Sequence, residues 1–165
     1  VELVKDGFFY SGYDAPEKGK EFSNKNEYHK VFYHKIGTAQ ADDKIVFEDK
    51  EHPLRNHYTS VTEDGHFLSV QGVEGTSGNS LHIKDLSKPD SEFVTFINDF
   101  ENDSYVMDNN GETLLIFTNY KAQTKGFPTS PVAETPITDI LAFATTVGDP
   151  TDPVAETPSI SNLAL

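Results

Sequence analysis

The chain reads as an all-β protein: a partial β-propeller of about two four-stranded antiparallel blades, followed by an irregular Pro/Thr-rich tail. Three observations predict this. Asp-Gly or Asn-Gly leads into an apolar strand three times, at Asp6-Gly7-Phe8-Phe9-Tyr10, Asp64-Gly65-His66-Phe67-Leu68 and Asn110-Gly111-Glu112-Thr113-Leu114. The glycines lie 58 and 46 positions apart. Short runs rich in Val, Ile, Phe and Tyr flank each copy, bounded by Gly, Pro, Asn or Asp. No helical periodicity stands out before residue 121.

Each element follows from these signals. Asp-Gly and Asn-Gly suit type I′ turns, whose two central residues need positive φ. Recurrence at roughly 40–50 residues is the period of four-stranded propeller blades. After Phe8–Tyr13 comes a polar loop, then a strand over Lys30–Gly37, a turn at Gln40–Asp43 and a strand over Lys44–Asp49. The next unit runs Tyr58–Thr62, Phe67–Val73, Ser80–Leu86 and Phe93–Ile97. The last opens with Tyr105–Asp108 and Thr113–Asn119. An antiparallel sandwich of hairpins is the other architecture that strand order allows.

The strand order and loop contents resemble the propeller of the prolyl oligopeptidase family of serine peptidases. The matching text is Asp6–Tyr13 (DGFFYSGY), Glu27–Thr38 (EYHKVFYHKIGT), Asp42–Phe47, His52-Pro53-Leu54 and Ser60–Gly65. It continues through Glu74–Asn79 (EGTSGN), Leu81–Ser91 (LHIKDLSKPDS) and Phe100–Asn119. The resemblance covers residues 1 to about 121. It implies strands two to four of one blade, a complete second blade and the first two strands of a third.

Two segments are therefore expected: a propeller part over 1–121 and a Pro/Thr/Ala-rich tail or linker over 122–165. Six of the nine prolines fall in the tail, which also carries the hexapeptide PVAETP twice, at Pro131–Pro136 and Pro153–Pro158. Proline lacks an amide donor and fixes φ, so these pieces are expected to be extended and mobile rather than sheet interior. Nothing in the tail resembles the family. One apolar run, Ile137–Val147, could instead dock as a strand on the open edge of the third blade.

Composition sets limits. With 27 acidic and 13 basic residues the formal charge is −14, which argues against nucleic acid and anionic membrane as partners. No stretch approaches the roughly 20 apolar residues that span a bilayer, and no signal peptide is visible, so a soluble chain of open compartment is expected. Cysteine is absent, which removes disulfides and thiolate chemistry.

The chemistry-bearing signals are sparse. A hydrolase nucleophile of this family needs a serine on a strand-to-helix turn with glycines beside it, then a histidine and an aspartate. Gly75-Thr76-Ser77-Gly78 has the wrong spacing and lies between two strands, so Ser77 is not expected to be catalytic. In the family the triad lies in a separate α/β-hydrolase domain, so no catalytic residue is expected here. His29 and His34 are five apart, as are His52 and His57, and odd spacing on a strand splits side chains between faces. No metal or cofactor is expected, and the histidines read as surface or blade-edge residues. Gly72-x-x-Gly75-x-x-Gly78 precedes no helix and is not a phosphate loop. Asp42-Asp43 and Asp99–Asp103 read as solvated turns. The aromatics Phe8, Phe9, Tyr10, Tyr13, Phe32, Tyr33, Phe47, Phe67, Phe93 and Phe96 read as blade-face packing.

What the resemblance implies for function is a non-catalytic propeller that gates access of short proline-containing peptides to a hydrolase domain. The same resemblance implies Asn56 and Thr76 as substrate-pocket positions. The other readings are a β-rich interaction or structural module with a Thr/Pro-rich stalk, and a truncated gene product without its own activity. A piece of about two blades leaves blade faces unsealed, so self-association through them is a further expectation.

Overall fold

A computed structural model describes residues 2–4, 6–16, 19, 25–119, 141–146 and 161–162. The strands form three four-stranded antiparallel sheets. Sheet 1 orders β1 (Glu2–Val4), β2 (Gly7–Gly12), β3 (Lys30–Lys35) and β4 (Lys44–Phe47) consecutively. Sheet 2 does the same with β5 (Asn56–Val61), β6 (Phe67–Val73), β7 (Ser80–Asp85) and β8 (Val94–Ile97). Sheet 3 holds β9 (Ser104–Asn110), β10 (Thr113–Thr118), β11 (Leu141–Thr146) and β12 (Ser161–Asn162). Among the described residues the one helical element is a 3₁₀ turn at Gln40–Asp42.

The partial propeller holds, with more strand than the sequence suggests. Sheet 1 gains the three-residue β1, whose register pairs Val4 with Gly7. Sheet 3 gains β11, which pairs with β10 along its whole length, from Thr113↔Thr146 to Thr118↔Leu141. The apolar run in the tail thus supplies a ladder partner for an edge that would otherwise be open. Both PVAETP segments lie outside the described residues.

The three turn signals resolve differently from the type I′ expectation. Gly65 (φ +73°) and Gly111 (φ +61°) are left-handed, but Asp64, Asn110 and Glu112 are not. At 62–65 the Gly65 amide bonds the Thr62 carbonyl at 2.8 Å, and Asp64 Oδ1 accepts the His66 amide at 2.9 Å. This is a four-residue loop with a single left-handed glycine. The third loop is Gly111-Glu112, the order of a type II′ turn. Gly7 is different again. It opens β2 at an ordinary φ, and an added Cβ would overlap the His34 carbonyl oxygen and the Tyr33 hydroxyl. Its absent side chain, not its backbone freedom, is what the first repeat preserves.

Gly65→Val is therefore expected to destabilise the fold by about 1–2 kcal/mol or more through left-handed strain. Gly75→Val meets nothing within 4 Å of its Cβ and has no left-handed φ, so it should change little. Equal thermal shifts for the two variants would contradict the turn.

The sheets stack face to face, and strand alternation divides the core. Phe9 and Val31 of sheet 1 pack on Leu68 and Val70 of sheet 2, with Tyr33, Phe47 and Phe93 around them. On the other face of sheet 2, Phe67, Leu81 and Ile83 pack on Leu114 and Ile116 of sheet 3. Leu68 and Val70 point one way from β6 and Phe67 the other, as a two-residue period requires. Each such buried side chain contributes about 1.5–3 kcal/mol, far above a surface ion pair. Six of the predicted blade-face aromatics, Phe9, Tyr33, Phe47, Phe67, Phe93 and Phe96, fill these two seams. Phe8, Tyr10 and Phe32 lie instead on the opposite face of sheet 1, and Tyr13 is 39% exposed.

Candidate functional site

One end of the sheets gathers the start of β5, the β4–β5 link, the β6–β7 loop and the β8–β9 link. The register Asn56↔Val73 places both expected pocket residues at that end. Asn56 opens β5 and accepts a hydrogen bond from the Tyr13 hydroxyl at 2.9 Å through Oδ1. Thr76 is exposed in the β6–β7 loop, three residues beyond Val73. Ser77 beside it is also exposed, and β7 rather than a helix follows.

The residue that organises this end is Arg55, which the sequence did not single out. It is 7% exposed. Its Nε and Nη2 donate to Glu74 Oε1 at 2.9 and 2.7 Å, and Nη1 donates to Asp49 Oδ2 at 2.8 Å. The guanidinium carbon lies 4.5 Å from the Phe100 ring centre. One side chain thus ties the β4–β5 link, the β6–β7 loop and the β8–β9 link. Gly72 makes room for it: an added Cβ would stand 2.9 Å from Arg55 Cδ and overlap Ser80 Oγ. Burial works to raise the Asp49 pKa, but the His52 hydrogen bond, the Glu51 amide and the Arg55 charge prevail and hold it below the usual value.

The far side of the β6–β7 loop is fixed to sheet 3. The Gly78 amide donates to Asp103 Oδ1 at 2.7 Å. Asn79 Nδ2 donates to the Ser80 and Ser104 carbonyls at 2.9 and 2.8 Å, and its Oδ1 accepts the Ser104 amide at 2.6 Å. Asp103 is exposed, as a solvated turn residue is expected to be, and its carboxylate also anchors the loop. Asp43, by contrast, departs from the solvated-turn expectation. Its side chain is 4% exposed and accepts from the Tyr10 hydroxyl and from His34 Nδ1, each at 2.6 Å. The Tyr10 hydrogen bond is the main reason its carboxyl sits below the usual range, with His34 adding to it against burial.

The histidines correct the surface reading most. His57 is 1% exposed and His82 9% exposed, both in the seam between sheets 1 and 2 around Phe47. The His57 amide donates to His29 Nδ1 at 2.8 Å, and His57 Nδ1 donates to the His29 carbonyl at 2.7 Å. His57 Nε2 is buried without a hydrogen-bond partner. His82 contacts Ser80 Oγ at 3.0 Å and Thr95 Oγ1 at 3.1 Å. This is a serine–histidine pair, yet no carboxylate orients it and Ser80 is fully buried, so no substrate reaches it.

Burial pushes His82 down to about 4, helped by the charges of His57 and Arg55 and opposed by Asp49. His57 and His29 are lowered as well, first by burial. The unfolded chain therefore binds more protons below about pH 6.5. Stability from neutral His82 is complete above that pH and is lost as pH falls from about 6.5 to about 4. Urea unfolding is expected to show this loss, on the order of 3 kcal/mol, and His82→Gln should flatten it. An unchanged slope in His82→Gln would contradict the assignment.

Comparison with known proteins decides the family. The family profile described as prolyl oligopeptidase, N-terminal beta-propeller domain, matches residues 4–140. The chain belongs to this family. The match runs past residue 121, where the resemblance read from the sequence ended. The prolyl endopeptidase of Elizabethkingia meningoseptica is 39% identical over 123 residues, which is 74% of this chain and 17% of that protein. The dual function macrocyclase-peptidase POPB of Amanita bisporigera is 32% identical over 129 residues, covering 74% of this chain and 18% of its own length. The chain thus spans less than a fifth of these relatives. Prolyl oligopeptidase B from Galerina marginata superimposes with a TM-score of 0.71 at 24% identity, over 95% of this chain and 19% of that one. Oligopeptidase B from Leishmania major gives 0.51 at 20% identity, over 70% and 15%. At these identities the superpositions speak for the propeller fold alone.

Among the described residues no group of three or more His, Cys, Asp or Glu side chains is arranged to hold a metal ion. No helix among them is long and apolar enough to cross a membrane.

Proposed function

We propose that this chain is the non-catalytic propeller part of a prolyl oligopeptidase-type serine peptidase, and that it gates short proline-containing peptides toward a hydrolase active site carried elsewhere. The supporting observation is the family match over 4–140 on stacked four-stranded sheets. Asn56 and the Thr76 loop are the pocket-facing groups in this reading, held at one end of sheet 2 by Arg55 and Asn79. A gate needs loops of fixed position on a rigid scaffold, and these loops are pinned by buried side chains rather than left free.

The test is a chain swap. Residues 1–120 replace the matching stretch of the Elizabethkingia meningoseptica enzyme. The hybrid is expected to cleave a chromogenic prolyl dipeptide and to spare a folded protein, while the isolated 165-residue chain cleaves neither. A hybrid that degrades the folded protein would remove the gating role. Cleavage by the isolated chain, lost on Ser77→Ala, would remove the non-catalytic one.

A further inference from the structure

The segment before β3 is tied to the start of β5 by three hydrogen bonds. The Tyr28 amide donates to the Pro53 carbonyl at 2.7 Å. The His57 amide donates to His29 Nδ1 at 2.8 Å, and His57 Nδ1 returns a bond to the His29 carbonyl at 2.7 Å. Tyr28 makes this approach with a left-handed φ of +60°, a strained conformation for a bulky residue. The bonded residue of β5, His57, directly follows Asn56. Tyr13 completes the arrangement. Its ring centre lies 4.6 Å from that of His29, and its hydroxyl donates to Asn56 Oδ1 at 2.9 Å.

These bonds fix where the protons are. A backbone amide can only donate, so His29 Nδ1 carries a free lone pair and the ring is neutral with its proton on Nε2. A proton on Nδ1 would set the ring N–H against the His57 N–H, and the ring would have to leave. Asn56 is thus held from two sides by groups that depend on that lone pair: by the backbone of His57, and by Tyr13 against the His29 ring.

We propose that His29 is a positioning residue for substrate binding: its neutral ring holds Asn56 in place through His57 and Tyr13, and its protonation releases Asn56 and weakens peptide binding while leaving the chemical step alone. This role rests on Asn56 being a pocket group. Burial first, and the neighbouring His57 second, hold the His29 pKa below its ordinary value of 6.5. The ring is therefore neutral at pH 7 and gains its charge as pH falls through the acid range. Other titratable groups face it from each side. Tyr58 stands edge-on at 6.2 Å, and Lys30, next in the chain, is paired with Asp14. The His34–Asp43 pair lines the same groove. Arg55 and Asp49 act on His57 behind the ring, as His82 does from the seam.

Two measurements test this. In the full 165-residue chain, nuclear magnetic resonance should show the His57 backbone amide and the Asn56 side-chain amide shifting with the same midpoint as the His29 ring. In His29→Asn both should stay put, because Oδ1 takes the place of Nδ1 as acceptor and does not titrate. The second readout is the hybrid that carries residues 1–120 in the Elizabethkingia meningoseptica enzyme. Its KM for a chromogenic four-residue prolyl peptide should rise about three- to tenfold from about pH 7.5 to about pH 5.5, the effect of roughly one hydrogen bond. His29→Asn should keep the low KM throughout, and His29→Leu, with no acceptor, should show the raised KM at every pH. All three should share one pH profile of kcat, since the catalytic groups lie elsewhere. Circular dichroism checks folding, and where His29→Leu fails, Tyr13→Phe replaces it and should raise KM at neutral pH. Amide shifts that do not follow the His29 ring, or a pH-dependent rise of KM that survives in His29→Asn, would overturn the proposal. Asn56→Ala separates it from the pocket reading. If Asn56→Ala raises KM and the His29 variants do not, His29 has no positioning role. If Asn56→Ala leaves KM unchanged, the pocket reading fails and this role fails with it.

Discussion

Gly78→Ala is expected to cost roughly 3 kcal/mol or more, the sum of left-handed strain and a backbone clash. Gly78 has φ +75°, and an added Cβ would overlap the carbonyl of Phe100. Backbone cannot step aside as a side-chain tip can. Phe100 is itself left-handed, at φ +57°, and its ring lies under Arg55. Two unusual backbone positions therefore meet where the β6–β7 loop crosses the β8–β9 link. Moving either one also breaks the Gly78 amide bond to Asp103. Urea denaturation of Gly78→Ala beside Gly75→Ala checks this: the first should unfold far earlier, and matching midpoints would contradict the packing.

Arg55→Met is expected to have the second large effect. Removing one partner of a buried ion network costs about 3–5 kcal/mol, because the remaining charges stay desolvated. Here Asp49 is 16% exposed and stays stranded, whereas Glu74 is 46% exposed and can return to water. The expected loss is accordingly nearer 2–4 kcal/mol. Arg55→Lys should recover less than half, since an ammonium cannot fork between Asp49 and Glu74 or lie flat on Phe100. Adding Asp49→Asn to Arg55→Met should restore part of the stability by removing the stranded charge. If the double variant were less stable than Arg55→Met alone, Asp49 would not be the group left uncompensated. Amide shifts over residues 74–77 would report whether the Thr76 loop loses its position at the same time.

Strand existence was written plainly in the chain, and partnership was not. Phe67–Val73 is a strand over the same residues that its apolar run marks, and β3, β7 and β10 fall within two residues of their sequence limits. Two-residue periodicity is local, so it survives in one dimension. Glu2–Val4 is too short for any period to show. The fate of Asp43 depends on Tyr10, 33 residues away, and that of His57 on His29, 28 residues away. Such contacts arise from how hairpins stack, and no local spacing encodes them. The rule that histidines five apart diverge on a strand was sound for a strand. It missed the cluster because His29 precedes β3, and its partner comes from another sheet. Arg55 carried no signal at all, being one cation among loop residues. Gly72 was its trace, read as part of a glycine spacing rather than as space left for a guanidinium.

The order of strands in each sheet follows the order of the chain, and this shapes how the protein reaches its folded state. Every ladder joins strands that are neighbours in sequence, so hairpins can zip before distant segments meet, and the short links of sheet 2 cost little loop entropy. The two longest links are residues 13–29 between β2 and β3 and residues 119–140 between β10 and β11. β6 lends one edge of its pleat to each hydrophobic seam, so neither seam consolidates without it. The middle sheet is thus the expected keystone of folding: its hairpins should form early, β6 should unite the two seams, and the β10–β11 link, the longest, should close last.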